Sequence, residues 1–469
     1  MFRDENERII RKSKAAQERS RAQQASARQS ETSQAGGVTR VQGYVGRPMP
    51  MISLDIDGHG LQFFLRHFSN EPGNVGSFSV GRQQNPVQAL NCHAPLQNAI
   101  ISVGLAACSN VKRDRALMSV ARQRYRIALS TVRKIVENPV RLDVGPLLKL
   151  IAMLAMFEMV DSRPDTMKGW ATHLSGVAAL MKRLAPARGP EFDTEALLWY
   201  FSAVALLYLQ AGGPFPAQLN SWPTQRAACV TTDESRTPFD LMDIIIGFVR
   251  FCADFWKYEG DTEKVLHEAL ALEIELQSWV KSLQERWSFT VKETETADTA
   301  GTFYGRYHIY HDSWAARTLN HYQMCRLLAN EIIVAHISDL SEPSGFWLEQ
   351  SQRSLKVISQ MATEICAGIA TQGFFADPAD SSQSGTPRQQ MKGVFAIQYP
   401  MTLAASATGV SDELRSWAIE KLQTMWNRTG IRHALDSVSR IENAIANQAQ
   451  GKLGSILSVL HPLHKWAGD

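Results

Sequence analysis

The chain of 469 residues predicts an all-α fold, a large multi-helix domain of packed antiparallel helices behind a flexible basic N-terminal segment. Three observations predict it. Apolar residues recur at steps of three and four through the segments beyond residue 51, the period of one helix face. No run of alternating β-branched residues is long enough for a sheet. Proline, glycine and polar stretches punctuate the periodic runs, and no fixed-period repeat calls for a solenoid.

Residues 1–50 are set apart by composition. In residues 1–24 Arg and Lys alternate with Glu and Ala, and Phe2, Ile9 and Ile10 are nearly all the apolar surface, so this piece cannot hold itself in a fold. Residues 25–50, rich in Ser, Gln, Ala and Gly, bury too little to offset the entropy of ordering and read as a tether. The folded region is therefore taken as 51–469. LQFFLRHF begins it as a short helix, HAPLQNAIISVGLAACS gives a second, and ALMSVARQRYRIALSTVRKIVENP a third. That third helix places Leu117, Ala121, Tyr125, Ala128, Val132 and Ile135 on one stripe, and Asn138-Pro139 stops it.

Pro146 to Pro186 is expected to be the hairpin around which the rest is organised. Leu147, Leu150, Ile151, Leu154 and Phe157 make one broad face of its first arm, where only Lys149 and Glu158 carry charge. Pro164 suits the turn. Trp170, His173, Leu174, Val177, Leu180, Met181 and Leu184 repeat at helical steps in the second arm, and Gly176 is expected to leave room for a close neighbour. A helix around Trp199 follows, then a Pro/Gly-rich crossing, a helix from Leu241 to Trp256, and helical period continuing to Trp287. Residues 288–301 turn polar and read as a loop and internal boundary. Further helices are expected from HDSWAARTLNHY, FWLEQSQRSLKV and GVFAIQYPMTLA; another opens at Ser411 and closes near Gly430, and the last runs from Ile431 to about Ala446.

Composition excludes little. Forty-four per cent hydrophobic and 20 per cent charged is ordinary globular usage, and a net charge of +3 is too small to mark the whole surface for nucleic acid. The longest uncharged stretch, ALLWYFSAVALLYL, falls short of the ~20 residues a bilayer span needs, so no membrane partner is expected. No signal peptide is expected at the start, because MFRDENERIIRKSK lacks an apolar core. Six scattered cysteines without a C-x-x-C read as reduced core residues. Gly58-His59-Gly60 has no third glycine or P-loop lysine, and no G-x-S-x-G occurs. His308/His311 and His461/His464 have H-x-x-H spacing without the ligands that would complete a metal site. Asp161/Asp165 and Asp377/Asp380 read as turn-capping residues. Trp170, Trp199, Trp256, Trp314, Trp417 and Trp426 read as core anchors. Hence no catalytic, cofactor-binding or metal-ligating residues are assigned, and no enzyme is expected.

Several phrases carry a family resemblance. Glu158 ends an apolar helix, a Pro-containing turn follows, and Trp170, His173 and Gly176 form W-x-x-H-x-x-G. Ala121, Tyr125, Ala128 and Leu129 form A-x-x-x-Y-x-x-A-L; Tyr310, Asp312, Trp314, Asn320 and Tyr322 form a later block; Pro400, Trp417 and Gly430 mark the ending. Together these resemble the regulatory region of fungal binuclear zinc-cluster transcription factors. Tyr399-Pro400-Met401 stands where the family has W-P-L, and Gly368 to Ala370 lack its S-x-P.

The resemblance implies a nuclear transcriptional regulator of a metabolic or secondary-metabolite gene set, with homo- or heterodimerisation and a small-molecule effector as implied partners. Family members resemble one another in a six-cysteine, two-zinc DNA reader followed by a phrase like Met1-Phe2-Arg3-Asp4-Glu5, at which this sequence begins. Zinc and direct DNA reading are thus implied only where such a cluster precedes this phrase; otherwise DNA is reached through a partner. Arg8, Arg11, Lys12 and Lys14 are weak candidates for phosphate contact or nuclear import, diluted by Asp4, Glu5, Glu7 and Glu18. The alternatives are a partner-binding scaffold, marked by an exposed apolar groove, and an enzyme with convergent polar side chains in an inter-helix pocket.

Overall fold

In the computed structural model, which describes residues 55–68, 94–137, 144–161, 169, 172, 173, 176, 194–211, 215–229, 233–254, 261–294, 302–369 and 394–450, the chain makes thirteen α-helices among the described residues. Caps chosen by the sequence start several of them. Asp55 accepts from the Gly58 amide at 2.9 Å to open α1 (Ile56–His67). Asp261 does the same for α8 (Thr262–Lys281), Asp312 for α9 (Ser313–Ser338) and Ser411 for α12 (Asp412–Thr429). The helices between are α2 (Ala94–Lys112), α3 (Arg115–Glu137), α4 (Val144–Asp161), α5 (Thr194–Ala211), α6 (Trp222–Cys229) and α7 (Asp233–Asp254). Towards the end come α10 (Gly345–Ile369), α11 (Val394–Ser406) and α13 (His433–Ala449).

Two helices lie at the centre. In α2 every residue from Ala99 to Ser109 is buried, because its apolar and small residues run all round the helix rather than along one stripe. It packs against α1, α3, α4 and α12. Gly104 meets α1 at Gly60 so closely that a Cβ would stand inside the Gly60 carbonyl. The second, α9, touches α7, α8, α10 and α11 and is buried over most of its length. The hairpin expected to organise the fold is described in full only in its first arm, α4, which is one of several neighbours of α2.

Three further expectations are corrected. The polar stretch after Ser288 opens with a strand, β1 (Phe289–Glu293), paired antiparallel with β2 (Arg306–Tyr310). This small ribbon folds because Phe289, His308 and Tyr310 share one face, with the Phe289 and His308 rings stacked, and β2 packs against α10, which the search for long alternating runs passes over. The Pro/Gly-rich crossing contains a 3-10 turn, Ala217–Ser221, and α6. The helical period expected to reach Trp287 stops at Lys281 and resumes as a 3-10 turn, Glu285–Trp287. The fold remains one of packed helices. Among the described residues no helix is long and apolar enough to cross a membrane.

Cys108, Cys325 and Cys366 are buried and, with half-buried Cys252, carry free thiols. Cys92 lies outside the described residues.

Candidate functional site

Helices α3 and α4 run antiparallel and present polar residues one turn apart. Arg122 and Tyr125 stand on α3; Asp161 and Glu158 stand on α4. The spacing of three residues on each helix puts both pairs in register. The Arg122 guanidinium donates from Nε (3.2 Å) and Nη2 (2.8 Å) to the two oxygens of Asp161. One turn along, the Tyr125 hydroxyl donates to Oε1 of Glu158 at 2.5 Å. Tyr125 also stacks on Phe157, with ring centroids 4.4 Å apart.

His173 completes the group. Its Nε2 is 3.0 Å from the Tyr125 oxygen and 3.7 Å from Glu158 Oε1. The phenol has one proton and gives it to Glu158, so its oxygen accepts from His173, which assigns a proton to Nε2. Burial works to raise the pKa of Glu158, but hydrogen bonds from His173 and Tyr125 and the neighbouring imidazole outweigh it, holding the carboxyl below its ordinary value. Gly169 lies against the same carboxylate: a Cβ there would be 2.9 Å from Glu158 Cδ. The cluster therefore fastens the His173 turn onto the α3–α4 pair.

A neighbouring bridge extends it. Asn110 on α2 donates through Nδ2 to the carbonyls of Val160 (2.9 Å) and Gly430 (2.7 Å). Gly430 caps α12 in the left-handed region at φ 70°, and a Cβ would be 2.2 Å from the Ala107 carbonyl oxygen.

The other residues singled out by the sequence are dispersed. Trp314 opens α9 and meets Trp287 edge to face at 6.1 Å. Trp417 donates its indole N–H to the Thr302 carbonyl at 3.2 Å. Pro400 is buried within α11. Gly176 is exposed and a Cβ there would meet nothing within 4 Å, so no close helix contact demands glycine at that position. Trp170, Arg8, Arg11, Lys12 and Lys14 lie outside the described residues. Asp161 is not a loop capping residue but a buried member of α4 paired with Arg122. His308 and His311 do not share a helical face: His308 is a buried strand residue, and exposed His311 faces Asp312. His461 and His464 lie outside the described residues.

Two polar groups escaped sequence reasoning. On the ribbon, His308 Nε2 is 2.7 Å from Glu364 Oε2 on α10, and Arg306 Nη2 is 2.9 Å from Glu364 Oε1. Burial again opposes the charge, and the contacts from His308 and Arg306 hold Glu364 below its ordinary pKa. Between α8 and α9, Glu273 receives Arg326 (2.8 Å), Asn330 (2.9 Å) and Gln277 (2.7 Å). The signal was present in polar residues four apart inside the apolar run of α9, Arg326 and Asn330.

A cavity of about 20 Å³ lies between α5, α7 and α9, with Trp199, Met242, Trp314, Arg317 and His321 on its walls. It has room for about one water. Burial, with the charge of Arg317, pushes the pKa of His321 down to about 3, so the imidazole there is neutral. Among the described residues no group of three or more His, Cys, Asp or Glu side chains is placed to hold a metal ion.

No family model matches the chain, and neither a curated protein nor a solved structure matches it.

Proposed function

We propose that the chain is the regulatory domain of a fungal zinc-cluster transcription factor, acting in the nucleus on a metabolic or secondary-metabolite gene set. One observation supports this reading above the rest. Tyr125 comes from one phrase of the resemblance and Glu158 and His173 from another, 33 and 48 residues from the tyrosine, and the three meet in one hydrogen-bonded group. Chance likeness in two unrelated phrases gives no reason for their polar residues to converge. A shared helical scaffold does, because each phrase then preserves one side of a single buried contact.

In this reading the domain works by binding rather than catalysis. The Tyr125–Glu158–His173 group sets the geometry of the helices, and DNA is reached through an attached zinc cluster or a related partner.

The test is transcriptional. The chain is fused to a heterologous DNA-binding domain and placed in the nucleus of a fungal host with a reporter carrying that domain's sites. Reporter output is expected to change relative to the DNA-binding domain alone, and to return to baseline with Tyr125→Ala. Unchanged output from folded, nuclear fusion protein overturns the proposal.

A further inference from the structure

Two left-handed backbone positions, Gly409 at φ 72° and Gly430 at φ 70°, are filled by glycine, as that conformation favours. The end of α2 is different. There the left-handed residue is Arg113, at φ 56°. The Asp114 amide donates back to the Ser109 carbonyl at 3.0 Å, the closing bond of a helix stop that usually places glycine at the position Arg113 holds. An arginine carries a steric cost there that glycine would not. Its side chain returns nothing to the fold, being exposed and making no hydrogen bond or ion pair with the described residues.

The corner around it is cationic on two sides. Lys112 ends α2 and Arg115 begins α3, on either side of Arg113 and Asp114. The junction of α12 with α13 lies directly against them, because Asn110 Nδ2 holds the Gly430 carbonyl at 2.7 Å. Arg428 and Arg432 are each two residues from Gly430, as Lys112 is from Asn110, a reach of about 7 Å of chain. Lys112, Arg113, Arg115, Arg428 and Arg432 are all exposed, and none is paired with a described acid.

The described acids nearby are committed elsewhere. Asp114 caps α3 at the Ala116 amide (2.8 Å), Asp161 holds Arg122, and Asp436 faces His433 at 3.5 Å. The start of α13 adds the positive end of its dipole, since its N-cap is Arg432 and no side chain caps it. Val111, 38% exposed, is an apolar side chain among these cations.

We propose that this corner docks an acidic segment of a partner protein, in which Asp and Glu carboxylates meet Arg113, Arg428 and Arg432 and an aliphatic side chain covers Val111. Arg113 separates the corner from an ordinary solvated charge cluster, because cations on a helix face cost the fold nothing and this one does. Phosphates of a duplex would answer the arginines, but they form a line longer than one corner and would leave Val111 without a contact. The inference stands independently of the transcriptional reading.

Fluorescence anisotropy of the full chain with a fluorescein-labelled peptide of Glu-Glu-Leu repeats, at about 50 mM salt, tests it. Saturable binding is expected, and a peptide of Glu-Glu-Ser repeats should bind more weakly. Arg113→Gly with Arg432→Ser should weaken binding at least about tenfold. Lys281→Ser with Lys292→Ser removes the same charge from exposed positions elsewhere and should leave binding unchanged. Arg113→Gly alone should weaken binding while its denaturation midpoint stays level or rises, because glycine takes φ 56° without a steric cost. A peptide that fails to bind overturns the proposal, as does binding indifferent to the corner variants or to the leucines, or equally weakened by the remote pair. Duplex DNA retained by the wild type and lost with the corner variants, without peptide binding, would overturn it in favour of phosphates.

Discussion

Tyr125 and Glu158 are joined across the α3–α4 interface by a 2.5 Å hydrogen bond in which the phenol donates to a largely buried carboxylate. The same phenolic oxygen accepts from His173, so one hydroxyl holds three chain segments together. Removing it while keeping the ring isolates that function.

Tyr125→Phe retains the stack on Phe157 and leaves Glu158 and His173 each short of a partner. A lost bond to a charged, part-buried group costs about 1.5–3 kcal/mol, so chemical denaturation should report a loss of that size. Tyr125→Ala should cost more, since the stacked ring goes as well. The pH sign follows from Glu158, whose carboxyl is held below its ordinary value. Its contribution is present above the unfolded pKa of 4.5 and is lost as pH falls through the lower folded value. Glu158→Gln should therefore flatten part of the acid limb of the stability profile.

Glu331 has the opposite sign. It is fully buried on α9; Oε1 accepts from the Thr408 amide at 2.5 Å and Oε2 lies 2.9 Å from the Thr408 hydroxyl. Burial pushes its pKa up to about 7, against the pull of both Thr408 bonds. The folded chain then holds a proton that the unfolded chain releases above 4.5. The contribution is full below 4.5 and is lost as pH rises through about 7. Glu331→Gln keeps both contacts without the charge, and should match the wild type near pH 4.5 but exceed it by about 2–4 kcal/mol at pH 8. Equal stability of the two proteins at pH 8 would refute the assignment.

How far these contacts were legible depends on what kind of order made them. Helix ends were readable because Ser411, which starts α12, and Gly430, which stops it, act within one turn of chain. Tyr125, Glu158 and His173 were singled out one by one, through resemblance, but their meeting depends on the antiparallel register of α3 and α4, which neither segment encodes alone. The ribbon was missed because five-residue strands have too few positions for an alternating pattern, and their stability comes from α10 rather than from themselves. Buried Glu331 and Glu273 were passed over as ordinary helix residues, since a charge on a helix is usually a solvated one.

Glu364 makes the ribbon's attachment testable. It faces both His308 and Arg306, and His308 is fully buried while stacked on Phe289 at 4.0 Å. Glu364→Ala leaves a buried imidazole and a half-buried guanidinium without their shared carboxylate, and breaking such a pair costs about 3 kcal/mol. The loss should be local: hydrogen exchange at the Phe289–Glu293 and Arg306–Tyr310 amides should accelerate while α2 stays protected. Protection unchanged in the ribbon would show that its apolar side alone holds it.

Gly430 and Gly409 provide an internal comparison. Both have left-handed backbones, at φ 70° and 72°. At Gly409 a Cβ would lie 3.4 Å from the flexible Leu355 Cδ2, an ordinary contact. At Gly430 it would be 2.2 Å from a backbone carbonyl of α2 and 3.0 Å from Asn110 Cβ. Gly409→Ala should therefore cost only the left-handed penalty of about 1 kcal/mol. Gly430→Ala adds a displacement of α12 from α2 and loss of the Asn110 bridge to Val160 and Gly430, and should cost about 3 kcal/mol or more. Asparagine, which tolerates the left-handed backbone, should rescue neither the contact nor the stability at position 430. Equal losses for the two alanine variants would mean that α12 yields freely, and that the close approach to α2 contributes nothing to the fold.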